Sequence, residues 1–276
     1  MQQEIATKFT ATDYRISTIT VTGGINCDVC LNNLYNLMSK HCNINEISYL
    51  EYGSNKHDLL STGTKNTKIK RNKKSNDSTT RKRFDNQLTI VMFYENNKYN
   101  IKLFKNGNIQ ITGVKSIEKG RKAIDFLIEK IKYVQSTNDN VDLKVVENVN
   151  EMKNANYKIR LINSDFKVNF EIRLDRLYEL VTKQYKIICS YEPCIYPGAK
   201  IEYYYPNNGF CKCKSFCNGK SDTCKKITIA VFQSGCVIIT GANKMEHIEI
   251  AYAFICDLLK NNIKIIRRNK LILPKK

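Results

Sequence analysis

Apolar and polar residues alternate in the same way at two places in this chain. In the first, Tyr99, Ile101 and Leu103 alternate with Asn100, Lys102 and Phe104. After a turn at Gly107, Ile109 and Ile111 alternate with Asn108, Gln110 and Thr112. A period of two places each set on one side of a strand. In the second, Ile227, Ile229, Val231, Val237 and Ile239 make one face. Thr228, Ala230, Phe232, Cys236, Ile238 and Thr240 make the other. Phe104, Gly107, Thr112 and Gly113 recur as Phe232, Gly235, Thr240 and Gly241, at a constant offset of 128 residues. A repeated hairpin signals an internal duplication. The second face of each copy carries a Phe among uncharged residues, whereas a solvated face is usually richer in charge. It predicts a surface kept for a flat, partly apolar partner.

The surrounding pattern predicts the same plan on both sides. Ile16–Val21, Ile47–Tyr52 and Leu88–Tyr94 read as strands. Residues 28–40 read as a helix capped by Asp28, with Val29, Leu31, Leu34, Leu37 and Met38 as its stripe. Ser116 to Val134 reads as a second helix, burying Ile117, Ala123, Ile124, Leu127, Ile128 and Ile131. In the second half, strands are predicted at Tyr157–Val168 and Lys200–Tyr205, and helices at Arg173–Lys183 and about 244–261. Two strand–helix–strands–helix units predict an α+β fold, helices on one side of a long curved antiparallel sheet.

The segments between are polar. They divide the chain into a tail (1–13), a first repeat (14–135), a linker (136–156), a second repeat (157–262) and a basic tail (263–276). Within the first repeat, 54–86 is expected to be a disordered basic insertion. It holds nine Lys or Arg against one Asp between Lys65 and Arg83. A second insertion, 206–225, is rich in Cys.

Charge narrows the class of partner. A net +19 over 276 residues favours a polyanion, most often nucleic acid. No apolar run approaches the ~18 residues of a membrane helix, so no membrane partner is expected. The start of the chain lacks a leader pattern and the eleven Cys are odd in number, which predicts a reducing, intracellular setting. Cys211, Cys213, Cys217 and Cys224 bring four thiols within 14 residues and are candidate zinc ligands, with free thiols on a loop as the alternative. No Ser/His/Asp arrangement and no phosphate-binding Gly loop is legible, so an enzyme is not expected.

The doubled Phe-x-x-Gly-x-x-x-x-Thr-Gly resembles the core of the TATA-binding protein family. So do Glu171-Ile172-Arg173-Leu174 and the stretch Tyr191-Glu192-Pro193-Cys194-Ile195-Tyr196-Pro197-Gly198, which is similar to the family's stirrup. The likeness covers roughly 15–135 and 157–262, and the insertions liken the chain to the divergent members in large DNA viruses. It implies a pseudo-twofold saddle with helices on the convex face. It further implies a transcription initiation factor that bends AT-rich promoter DNA through the minor groove and recruits the transcription machinery. Phe104 and Phe232 would each be one wedge of a pair. Tyr196 would be the partner of Phe232; the partner of Phe104 falls near Gln87 or Leu88, with Phe84 as the nearest aromatic. Thr112 and Thr240 would face the minor groove, with Gln110 and Ile238 as its floor. The family's paired Asn falls at Ser17 or Thr18 and at Leu161 or Asn163. Lys102, Lys115, Arg121, Lys122 and Lys244 would be left for phosphates. Glu192 would meet a transcription-factor-IIB-like protein, with RNA polymerase as a further partner. No cofactor beyond the candidate zinc is implied. The place of action would be the nucleus or a cytoplasmic viral factory. Two other readings fit the residues: a nucleic-acid platform of the same fold without TATA preference, and a protein-interaction subunit of a transcription complex.

Overall fold

The repeated alternation folds as strands, and side chains from helices close over one face of them. The computed structural model describes residues 8–43, 45–58, 86–138, 143–207, 209–213, 217, 219–221 and 224–268. The chain divides into two compact units: Ile19–Ile159, and Met1–Thr18 together with Arg160–Lys276.

The unit Ile19–Ile159 takes most of β1 (Arg15–Gly24), then α1 (Leu31–His41), β2 (Ile47–Tyr52) and β3 (Asn55–Asp58). It continues with β4 (Gln87–Tyr94), β5 (Asn97–Phe104), β6 (Asn108–Val114) and α2 (Ile117–Ser136). Its strands lie antiparallel in the order β3-β2-β4-β5-β6-β1. The other unit takes most of β7 (Ala155–Lys167), then α3 (Leu174–Glu179), β8 (Cys189–Ser190) and β9 (Gly198–Tyr205). β10 (Lys220–Ser221), β11 (Cys224–Phe232), β12 (Cys236–Ala242), α4 (Met245–Asn261) and α5 (Ile263–Ile266) complete it. Its order is β7-β12-β11-β9-β8, with β10 paired to β11. No described helix is long and apolar enough to cross a membrane.

The core faces are as the alternation predicts. Tyr99, Ile101, Leu103 and Ile111 in one unit, and Ile227, Ile229, Val231, Val237 and Ile239 in the other, have no exposed surface. Burying one such side chain contributes about 1.5–3 kcal/mol. Helix residues meet this face: Phe126 of α2 stacks on Tyr94 at 4.6 Å, and Phe254 of α4 packs on Tyr203 at 4.7 Å. Ser116 caps α2 by accepting from the Lys119 N–H.

The duplication extends to single hydrogen bonds. The Gly107 N–H donates to the Phe104 carbonyl and the Gly235 N–H to that of Phe232. The Gly107 carbonyl accepts from Ile25 and that of Gly235 from Val168. Val29 donates to Lys105 and Ile172 to Gln233. Both glycines have positive φ, +73° and +82°. A Cβ would lie 2.1 Å from the Cys27 carbonyl oxygen at Gly107 and 2.6 Å from that of Phe170 at Gly235. Each hairpin turn therefore presses on the loop before its unit's first helix, and only Gly fits there.

Several expectations are corrected. The first helix begins at Leu31 behind Cys30, without a side-chain cap, so Asp28 does not cap it. Ile117 is 37% exposed at the first turn of α2, where the helix has barely reached the sheet. Residues 55–58 pair with β2, so the described part of the expected insertion starts as a strand; residues 59–85, including Phe84, lie outside the described residues. The described part of the linker is packed. Val145, Val146 and Met152 are buried, and the Gln135 side chain of α2 accepts from the Val145 and Val146 N–H groups. The expected tail is anchored as well: Ala11 bridges to Val168, and Phe9 meets Phe170 edge-on at 6.3 Å. At the other end, Ile266 of α5 is fully buried. The helix after Arg173 is α over six residues and widens to a π turn over Leu180–Gln184.

Candidate nucleic-acid interface

Cross-strand register shows which side chains share the face opposite the helices, since directly paired residues point the same way. In the unit Ile19–Ile159, Phe104 pairs with Gln87, Lys102 with Thr89 and Gln110, and Asn100 with Val91 and Thr112. Lys98 pairs with Phe93, and Thr22 with Gln110. In the other unit, Phe232 pairs with Gly198, Ala230 with Lys200 and Ile238, and Thr228 with Glu202 and Thr240. Lys226 pairs with Tyr204, and Asp165 with Ile238. The predicted Phe104, Lys102, Gln110 and Thr112 thus share one open face, and Phe232, Ile238 and Thr240 share another.

The Phe232 edge is a built aromatic site. Gly198 lies under two rings, and a Cβ there would sit 3.0 Å from both the Phe232 and the Tyr196 ring carbons. The centroids of those rings are 5.7 Å apart, tilted by 56°. Lys200, which sequence reasoning missed, places Nζ 3.9 Å from the Tyr196 ring centroid. Along the strand, Ile238 is 36% exposed, a large apolar side chain turned to solvent. The Thr240 hydroxyl donates to the Asn163 side-chain oxygen, so these two residues act as one polar group. Leu161 and Asn163 both alternate with the core residues Ile162 and Ser164, on the same side of β7.

The Phe104 edge has different neighbours. Gln87 stands where Gly198 stands in the other unit, and its amide donates to Thr89 at 3.0 Å. Leu88 is fully buried on the core side. Neither position carries an aromatic ring beside Phe104. The register that pairs Gly198 with Phe232 maps Tyr196 onto position 85, outside the described residues. Phe104, Lys105, Asn106, Asn86, Asn108 and Asp28 line a cavity of about 560 Å³ at this edge.

Of the charges on these faces, the sequence made only Lys102 legible. β4, β5 and β6 present Lys98 and Lys102 on their open side, and Glu51 of β2, opposite Thr89, shares that side 3.1 Å from Lys56. The other face carries Glu202, 3.2 Å from Lys226, and Asp165, 2.6 Å from Arg15. Lys115 and Lys244 are exposed just before α2 and α4. Arg121 and Lys122 lie on α2, over the core side. Arg121 stacks on Tyr157 and Lys122 pairs with Glu118, so neither belongs to the open face. Glu192 is exposed in a turn whose carbonyl accepts from Ile195 and Tyr196, and Ile195 beside it is 80% exposed.

The four cysteines of the second insertion come together. Their sulfur atoms all lie within 4.8 Å of one another, with Cys211 and Cys224 at 3.7 Å. The Gly219 N–H donates to Cys217 Sγ at 3.3 Å and, as the largest cause, pulls that thiol down to about 7. Burial pushes the Cys224 thiol up to about 12. Burial first, then Glu202 and the nearby Cys211 and Cys217 thiols push the Tyr204 phenol up to about 12.

Residues 66–134 and 156–262 match the family described as transcription factor TFIID, or TATA-binding protein. The chain is 35% identical over 191 residues to a TATA-box-binding protein-like protein of Acanthamoeba polyphaga mimivirus, covering 67% of this chain and 50% of that one. It is 27% identical over 165 residues to TATA-box-binding protein 2 of Entamoeba histolytica, covering 59% of each. The chain thus spans about half to three fifths of these curated relatives. Among solved structures, the TBP of Methanococcus jannaschii shares the fold, with a TM-score of 0.51 at 18% identity, covering 91% of this chain and 99% of that one.

Proposed function

Because the chain belongs to the TATA-binding protein family, we propose that it is a DNA-binding transcription initiation factor. It lays its open sheet faces in the minor groove of AT-rich promoter DNA, bends the duplex and recruits the transcription machinery. The observation that carries this reading is the uncovered face of each sheet, with a Phe at the same register position in both units. Neither face is covered by a described helix, and both present uncharged and apolar groups at their centre.

The chemistry follows from the faces. Minor-groove edges separate A·T from G·C and little more. Ile238 offers an apolar contact, and Thr240 and Thr112 small polar ones, suited to that shallow code. Phe232 with Tyr196, and Phe104, unstack base steps at the edges, at a cost of a few kcal/mol per step. TA-rich steps deform most readily, so selectivity comes mainly from deformability. Lys98, Lys102, Lys200, Lys115 and Lys244 supply phosphate contacts and counterion release. Glu192, exposed beside Ile195, is the proposed contact for a transcription-factor-IIB-like protein, and RNA polymerase follows through that complex. The proposed place of action is the nucleus or a cytoplasmic viral factory of an infected cell.

A second reading, a platform of the same fold without TATA preference, is favoured by Asp165 and Glu202 on the open face, where acids oppose phosphates. Gel shifts with AT-rich duplex, GC-rich duplex and single strand separate the two. Preference for the AT-rich duplex is expected. Equal binding to all three would leave the second reading.

A further inference from the structure

We propose that Cys211, Cys213, Cys217 and Cys224 bind one zinc ion as four thiolates, and that the metal clamps the second insertion over the end of the open face. The inference stands on the cysteine geometry and is independent of DNA binding.

Topology brings these thiols together from three segments. Cys211 and Cys213 follow β9, Cys217 precedes β10, and Cys224 opens β11. β9 and β10 flank β11 on opposite edges, since Lys225 pairs with Tyr205 on one side and Lys220 on the other. Cys224 alternates with Ile227 and Ile229 of the core and shares the parity of Lys226, Thr228 and Phe232. It therefore points to the open side, yet only 1% of it is exposed. Beside it lie the other three sulfurs, Cys211 at 3.7 Å. Gly219 lies against the strand, where a Cβ would come 2.4 Å from that of Lys226, and its carbonyl accepts from the Lys226 N–H at 2.8 Å.

The spacing suits the metal. Four sulfurs about 2.3 Å from a tetrahedral zinc stand about 3.8 Å apart. Cys211 and Cys224 are at 3.7 Å, and the whole set lies within 4.8 Å. All four are free thiols. A short polar stretch that buries little apolar surface has no other evident reason to converge its thiols. On binding, each thiol yields its proton to solvent, and the centre carries a net charge of about −2. Lys212, Lys220 and Lys225 in the same stretch balance it. Four protein ligands leave no open position, so the site is structural rather than catalytic. It lies about 26 Å along β11 from Phe232, at ~3.3 Å per residue.

The test uses the full chain, purified with a reductant and without chelator. Elemental mass spectrometry is expected to find about one zinc per chain. Cobalt(II) replacing it should give the visible bands of a tetrahedral tetrathiolate. Cys211→Ser and Cys217→Ser should lose the metal, whereas Cys30→Ser, at an exposed thiol before α1, should keep it. Zinc should also slow hydrogen exchange at the Lys226 amide. Wild-type zinc below roughly 0.2 equivalents, iron in its place, or a Cys211–Cys224 disulfide under reductant would each overturn the proposal. The wild-type measurements decide the matter even if the Ser variants fail to fold.

Discussion

The Phe104 and Phe232 edges begin from the same hairpin and end with different chemistry. Both Phe residues sit at the end of a strand, one turn before a glycine pressed on neighbouring backbone. Opposite Phe232 stands Gly198, and its missing Cβ makes room for Tyr196, with Lys200 over the second ring. Opposite Phe104 stands Gln87, tied to Thr89. The charges run the other way. On the Phe104 face Lys98 and Lys102 have no acid on β4, β5 or β6, and Glu51 of β2 is paired with Lys56 at 3.1 Å; the Phe232 face pairs Lys226 with Glu202 and carries Asp165. Duplication has preserved the backbone contacts that hold each hairpin and left the open faces to diverge. One edge is suited to stacking and the other to phosphate attraction.

The largest effect is expected from removing the rings. Aromatic contacts with bases are worth about 1–3 kcal/mol each, so Phe232→Ala should weaken binding to an AT-rich duplex by about 5- to 150-fold. Phe104→Ala should cost less, and titration by fluorescence anisotropy would rank them. Equal losses would erase the distinction between the edges. Gly198→Ala comes next. A methyl 3.0 Å from two ring carbons must push them apart, with an expected cost of about 1 kcal/mol in DNA affinity and little change in melting temperature. The analogous Gln87→Ala should leave affinity within a factor of about two, as most surface changes do.

Smaller effects should separate the charges. Lys98→Ala and Lys102→Ala should each reduce the slope of log affinity against log salt by about one. Lys226→Ala should reduce it less, because Glu202 already neutralises that ammonium at 3.2 Å. Glu202→Gln should tighten binding at low salt by a few-fold at most, since partly exposed pairs are worth about 0–1 kcal/mol. If Lys226→Ala lowers the slope as much as Lys102→Ala, the faces do not differ in charge as described.

The fold was legible because its repeated residues have steric duties that no other type performs. Gly107 and Gly235 press on backbone in both copies, and the Ile and Val alternation fills both cores. Site residues on those hairpins were legible for the same reason. Lys98, Lys200, Lys226, Glu202 and Asp165 were not, because they share a face with the motif only through pairing with neighbouring strands. Strand register, not distance along the chain, decides that Gln87 stands opposite Phe104. The linker escaped because its anchors, the Gln135 and Asn33 side chains and the Cys30 N–H, lie earlier in the chain. The four cysteines could be counted from the sequence, but their convergence depends on β9 and β10 lying on opposite edges of β11.

The measurement that bears most directly on the open faces is DNA bending, read by energy transfer between dyes at the ends of an AT-rich duplex. Wild-type protein should shorten the end-to-end distance, Phe232→Ala should abolish most of that change, and Phe104→Ala should reduce it less. A duplex that stays straight with wild-type protein, or bends equally with Phe232→Ala, would contradict the assignment of these faces to a bent minor groove.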